Sequence, residues 1–412
     1  MLNRVVNVRP EEVRALLWSF AYFFCLLAAY YILRPLRDEM GVAAGVQNLQ
    51  ILFTATFFVM LPAVPCYGAL VARLPRRLFI PLVYHFFVAN LLVFWLLLVL
   101  EVERQTVARV FFVWLSVFVL FAVSVFWSFM ADLYRTEQSK RLYGFIAAGG
   151  TAGQLVGSLT TFSLATQIGA THLLIVAAVL LELAVICALQ LTPRGERTER
   201  REAAGGGALD GLAMVLRSPY LAGILAWLAL LSIAATFLYF TQAEIVARAS
   251  KDPNVRARIF ASVDLAVGIL TLAVQFLATG QLITRFGVGR ALALVPVVFA
   301  AGFAALAAVP TLSVVIAFQA LQRTANFAIS NPARESLFTV VERDEKYKAK
   351  NVIDTVGARG ADMAGGWLFA GLRKLGTEAL TIGAIAIALA GVALSLWLGR
   401  AQSRQAKAKA GL

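Results

Sequence analysis

The sequence predicts an all-α polytopic membrane protein with twelve transmembrane helices. Three observations carry that expectation. First, 60% of the 412 residues are hydrophobic and 15% are charged, with a mean hydropathy of +0.79. Soluble domains hold roughly 45–50% apolar and about 25% charged residues. Second, runs of about 20 apolar residues recur along the chain, the length needed to cross a hydrocarbon core of ~30 Å. Third, the net charge of +14 is dispersed among the turns between those runs. That dispersal argues against a nucleic-acid-binding face and fits basic loops held on one side of a membrane. Cys25, Cys66 and Cys187 lie in separate apolar runs and there are two histidines, which excludes a disulfide scaffold and a Cys/His zinc cluster.

Spans are expected at 12–40, 49–71, 78–100, 109–134, 143–165, 171–191, 220–247, 258–283, 290–309, 311–340, 351–372 and 377–399. The first, fourth, seventh, tenth and eleventh are the most polar of these. The first follows Arg4, Arg9, Glu11 and Glu12 and runs on past Leu33, so it is expected to be a span rather than a cleaved signal peptide. An inside N-terminus places about 23 Lys/Arg on the inner side against roughly nine opposite, which predicts that both termini are cytoplasmic. Residues 192–219 form the one long polar connection. They divide the chain into an N-terminal six-helix bundle (1–191), a basic cytoplasmic linker (192–219) and a C-terminal six-helix bundle (220–412). Within the linker, Leu209, Leu212, Ala213 and Leu216 recur at helical spacing, as in a short helix lying on the inner membrane face. A hinge around Gly205-Gly206-Gly207 is the alternative.

An internal repeat supports the six-plus-six division. Residues 68–77 read GALVARLPRR and 280–290 read GQLITRFGVGR, each between the second and third spans of its half. Gly68 and Gly280 would allow close helix approach, and Arg73 and Arg285 could cap carbonyl ends of neighbouring helices. A generic basic turn would explain either copy alone, but two copies at matching positions point to a repeat. The pattern resembles the signature loop of the major facilitator superfamily, Gly-x-x-x-Asp-Arg-x-Gly-Arg-Arg. Ala72 and Thr284 stand where that loop has Asp, and Pro75 where it has the turn Gly. The resemblance implies a 6+6 pseudo-twofold bundle with a site near the membrane midplane.

Charged groups inside spans cost about 2.5–3.5 kcal/mol each and so mark a polar path. The segment YYILRPLRDEMG ends the first span, where Arg34 and Arg37, three residues apart, could together receive an anion and Pro35 should kink the helix. Alternatively the helix ends at Leu33 and the cluster lies in an outer loop. Asp132 follows Trp127 and Phe129 at the end of the fourth span. Gly149, Gly150, Gly153 and Gly157 then form a small-residue face for tight packing. Glu244 could pair with a first-span arginine or bind a coupling proton. Asp264, alone in apolar surroundings, is a second proton candidate and Asp132 a third; pairing with a nearby arginine is the plainer role for Glu244 and Asp264. Glu182, His85 and His172 have no sequence neighbours that suggest chemistry. In the tenth span Arg323, Asn326, Ser330 and Asn331 advance by three or four residues and form one polar stripe, continued by Arg334 and Glu335. Asp354, Arg359 and Asp362 recur in the eleventh.

Three segments, YYILRPLRDEM, FWSFMAD…EQSKRLYGF and PARESLF…ERDEKYKAKNVIDTVGARGADMAGG, resemble segments of the ATP/ADP translocases. In that family the corresponding motifs read like ILRDTKD, FWGFANQ with EAKRFY, and KGKAAIDVIGSRLGKSGG. The resemblance implies that Arg34 and Arg37 supply phosphate contacts, that Asp132 occupies a polar position, and that Asp354 and Arg359 match the family's Asp and Arg. Asp362 stands where the translocases have a lysine, so an attraction for triphosphate is replaced by a repulsion.

The expected function is therefore a secondary-active, alternating-access transporter of an organic anion, foremost a nucleotide or other phosphate-bearing metabolite, working by exchange or ion coupling. The expected substrate-binding residues are Arg34, Arg37, Asp132, Glu244, Arg323, Asn326, Asn331, Arg334, Asp354, Arg359 and Asp362; ion coupling is expected at Asp132, Glu244 or Asp264. An exporter of an amphiphilic or lipid-linked cargo, and a transporter-like sensor or scaffold, are the alternatives. No P-loop and no nucleophile–base or metal-ligand constellation appears, so neither an enzyme, a cofactor nor a metal is expected. The chain is expected to be a monomer in a bacterial-type inner membrane, in contact with lipid and not with nucleic acid.

Overall fold

A computed structural model describes residues 8–73, 76–191, 208–277, 287–341, 349–350 and 352–410. No strand occurs among the described residues. The helices are α1 (Val13–Ala43), α2 (Leu49–Arg73), α3 (Arg76–Val99), α4 (Arg104–Leu133), α5 (Thr136–Leu164), α6 (Leu173–Leu191), α7 (Ala208–Arg217), α8 (Pro219–Ala249), α9 (Pro253–Leu277), α10 (Val288–Ala308), α11 (Leu312–Ala325), α12 (Asn331–Leu337), α13 (Ala358–Lys374) and α14 (Thr377–Ala410). Each of the twelve expected spans coincides with helix, the tenth being α11 with α12. The protein is an all-α, multi-pass membrane protein.

Nine described helices are long and apolar enough to cross a bilayer by length and composition. They include the first, fourth and seventh spans, which are polar only near their ends. The fifth, tenth and eleventh spans fall outside that group. The fifth is diluted by its polar start and its glycines, while α11 and α13, at 14 and 17 residues, are cut short by irregular turns.

Two helix ends differ most from expectation. α5 begins at Thr136 rather than near 143, because Gln138 Oε1 accepts the backbone N–H of Arg135 at 3.0 Å and opens the helix early. α14 runs to Ala410, beyond the expected 399, because the tail AQSRQAKAKA holds strong helix formers and no proline. In the linker, α7 realises the helical alternative over 208–217. The glycine run at 205–207 lies outside the described residues, as do Gly280 and Arg285 of the second repeat loop.

The chain divides into two compact units. One comprises Met1–Gly45, Phe58–Ala203 and Ser250–Leu265; the other comprises Val46–Phe57, Ala204–Ala249 and Ala266–Leu412. In the first unit α1 is the central element, packed against α4, α5 and α6. Its most apolar window is 61% buried, against 22% for α2 and α14. The glycine face on α5 explains the closest of these contacts. A Cβ at Gly149 would strike the Phe20 carbonyl, one at Gly153 the Phe24 carbonyl and Ala28 nitrogen, and one at Gly157 the Ala28 carbonyl. Only a missing side chain lets the two backbones touch. Below this seam, Glu12 accepts Gln138 Nε2 at 2.9 Å and Arg141 at 3.0 Å, tying the start of α1 to the start of α5. Gly68 corrects the expectation of close approach, since a Cβ there would meet nothing within 4 Å.

In the second unit α10 packs along α14, and α8 against α13 and α14. A Cβ at Gly399 would collide with the Gly289 backbone. Trp227 Nε1 on α8 donates to Ser395 Oγ at 2.8 Å, so the buried indole donor is matched.

Candidate functional site

The polar groups of the second unit gather on two interrupted helices. Between α11 and α12 the backbone widens into a π-turn over Asn326–Ser330, closed by the Asn331 N–H on the Asn326 carbonyl. Pro332 follows immediately. It lacks an N–H, and in an α-ladder its ring would press on the carbonyl four residues back, which the wider turn moves aside. A second π-turn, Ile353–Gly357, precedes α13 and closes on Ala358 N–H to Ile353 O. Gly357 lets this turn lie against Leu225 of α8, whose Cδ1 a Cβ would meet at 2.5 Å.

The first turn fulfils the predicted stripe in a way regular helix would not. Five residues of α-helix would carry Asn331 well off the face of Asn326, whereas an i→i+5 turn restores it. Arg323, Asn326, Asn331 and Arg334 are all half-buried, while Phe327 and Glu335 are exposed. Ser330 Oγ, Thr324 Oγ1 and Arg334 Nε are buried with no hydrogen-bond partner among the described residues. Such orphaned atoms are costly in a greasy interior and concentrate here on one helix.

The ionic partners were not predicted. Arg334 meets Asp354 at 3.1 Å, joining α12 to the second π-turn. Glu335 takes Lys350 at 2.5 Å and lies 3.9 Å from Arg334. Arg359 pairs with Asp362, one turn along α13, at 3.4 Å. Deeper in the unit, Gln319 Nε2 donates to Gln242 Oε1 at 2.7 Å, a buried bond between α11 and α8. Gln319 was legible as the residue one turn before Arg323. Glu244 corrects an expectation: its partners are Arg373 at 2.8 Å and Arg248 at 3.9 Å, not a first-span arginine.

In the first unit α1 continues through Pro35 to Ala43, which overturns the reading that the helix ends at Leu33. Asp38 and Glu39 are buried rather than set in a loop. Arg34 and Arg37 each have a carboxylate close by. Arg34 binds Asp264 of α9 at 3.1 Å, and Arg37 binds Asp38 at 3.0 Å while its guanidinium lies 4.7 Å from the Phe112 ring centroid. Asp264 is thus paired, and only 2% exposed. Glu39 accepts Arg256 Nη2 at 2.7 Å, and Arg256 also donates to the Lys251 carbonyl at 2.9 Å. Asp132 lies exposed in the last turn of α4, apart from these clusters. Two residues read as isolated meet each other: His85 Nε2 lies 3.2 Å from Glu182. His172 is also engaged, by Trp95 Nε1 at 3.2 Å.

Solved structures of transporters share this fold. The nucleoside transporter NupG, solved as a point mutant, superposes with a TM-score of 0.65 at 14% identity, covering 95% of this chain and 99% of that one. A bacterial homolog of the human lysosomal transporter Spinster, solved inward-facing and unoccupied, gives 0.60 at 15% identity, covering 97% and 98%. No curated protein matches the sequence. The Major Facilitator Superfamily pattern matches residues 15–321, well over half of the chain. With nine described helices long and apolar enough to cross a bilayer and that pattern over most of its length, this chain belongs to the Major Facilitator Superfamily, a family of secondary transporters and not of enzymes.

Proposed function

We propose that the protein carries an organic anion, foremost a phosphate-bearing metabolite, by alternating access between two six-helix halves (1–191 and 220–412), in an inner membrane with both termini cytoplasmic. The observation that carries this reading is the stripe Arg323, Asn326, Asn331 and Arg334, kept on one face by a π-turn and followed by Asp354, Arg359 and Asp362 on the next span. Guanidinium groups held by carboxylates can exchange them for a cargo oxyanion, which keeps each arginine paired and releases the carboxylate. The likeness of three segments to the ATP/ADP translocases supports nucleotides as the first cargo to try. Arg359 is already matched by Asp362 at 3.4 Å, which favours a cargo with less charge than a triphosphate.

The pair Arg34–Asp264 supports ion coupling. A cargo anion that takes Arg34 would displace Asp264, the acid we propose for coupling. Exchange without a proton is the competing mode. Proteoliposomes separate them. Saturable uptake of a labelled phosphorylated metabolite that rises with an inward proton gradient supports coupling, and counterflow indifferent to the gradient supports exchange. Absence of both for a panel of nucleotides and sugar phosphates would defeat the anion-carrier reading.

A further inference from the structure

A cavity of about 310 Å³ lies in the first unit, where the ends of α1 and α3, the starts of α4 and α9 and the turn before α6 converge. We propose that this cavity binds a small oxyanion, a phosphate or carboxylate group, at a site separate from the charged clusters of α11–α13. Two of its polar side chains, His172 and Asn254, offer donors that local hydrogen bonds fix. The Trp95 indole nitrogen can only donate, so His172 Nδ1, its partner at 3.2 Å, must accept. The neutral His172 ring therefore carries its proton on Nε2, a donor. Asn254 Oδ1 accepts the Ala170 backbone N–H at 2.8 Å, which orients that amide and leaves its nitrogen as the other polar end, again a donor. Thr171 adds a hydroxyl from the same turn, and Arg104, half exposed, adds a guanidinium.

The single carboxylate in the wall is closed to a cation. Glu39 is 3% exposed and already receives Arg256 at 2.7 Å, with Arg104 further off at 3.9 Å. Arg104 and Glu39 are the charged residues of the wall, and Arg256, outside it, holds Glu39. Asp252, which accepts the Asn254 backbone N–H at 2.8 Å, is not among the residues lining the cavity. An oxyanion here would bridge α4, the turn before α6 and α9. This assignment does not rest on the transport reading.

The chemistry suits either a soluble anion or a lipid phosphate, and one experiment separates them. The full-length protein is held in phosphatidylcholine nanodiscs and titrated with inorganic phosphate while its melting temperature is followed. A parallel set of discs contains phosphatidylglycerol and no phosphate. Saturable stabilisation in the first arm assigns a soluble oxyanion, and stabilisation in the second arm alone assigns a lipid head group. In either case Arg104→Gln should raise the half-saturating level by about tenfold or more, because a charge-assisted bond is lost. Thr171→Val should raise it by about threefold. Since Arg104 is half exposed and only loosely engaged, R104Q is expected to melt normally without anion. Stabilisation by neither anion, or stabilisation unchanged in both R104Q and T171V, overturns the proposal.

Discussion

Asp264→Asn is the sharpest test of the ionic core. The Arg34 and Asp264 charges are 3.1 Å apart, with side chains 21% and 3% exposed. At an effective dielectric of about 20, that separation corresponds to an attraction of about 5 kcal/mol. Much of it offsets the desolvation of both groups, so the pair is worth far less than its Coulomb energy. Removing one partner is different, because the other stays buried without its counter-charge, at a cost of about 3 kcal/mol. Asp264→Asn and Arg34→Gln should each lose about that much stability. The double variant should lose about 2 kcal/mol less than the sum of the singles, since it leaves neither charge behind. Reversible unfolding of the four proteins in one detergent measures the cycle. If the losses add to within about 0.5 kcal/mol, the two groups are not coupled. Asp264 could not then be the acid that Arg34 releases. Transport provides the second readout: under proton coupling, D264N uptake should no longer respond to a pH gradient while counterflow persists.

Three further outcomes follow from particular contacts. Gly153→Leu should destabilise the α1–α5 seam by about 3 kcal/mol, whereas Gly68→Ala, with open space around it, should be neutral or stabilising by up to about 1 kcal/mol; thermal unfolding compares the two. Asp362→Lys should strengthen competition by a nucleoside triphosphate in uptake assays by about tenfold, because a local repulsion becomes an attraction; unchanged competition would place the cargo elsewhere. Deleting Phe327 should return the π-turn to α-helix while keeping Asn331 and Arg334 on the face of Asn326, because four residues of α-helix then replace five of the wide turn. Uptake should then stay within about threefold of the parent with helical circular dichroism unchanged, and a fall of about tenfold or more would show that the turn does more than set the register.

The spans could be read from the chain because hydrocarbon thickness imposes one length on every crossing, and the glycines of α5 because their four-residue spacing puts them on one face. The polar stripe of the tenth span was legible for the same reason, although the π-turn that keeps Asn331 on that face was signalled only by Pro332. Partners were harder to see. Glu39 and Arg256 are 217 residues apart in the chain, and nothing local in either segment names the other. Glu244 misled in the same way. Its side chain has arginines at several plausible distances, and packing of α8 against α13 selected Arg373. His85 and Glu182 sat in separate apolar runs until α3 and α6 came together.

What the sequence determined by itself was the helical, multi-pass class and the places where charge enters the apolar runs, because each follows from local solvation cost per residue. What only the tertiary structure decided was which acid neutralises which base, whether Pro35 ends a helix or is carried inside one, and which glycines are needed for contact. Those depend on pair distances between segments far apart in the chain, and such distances exist only once the helices have packed.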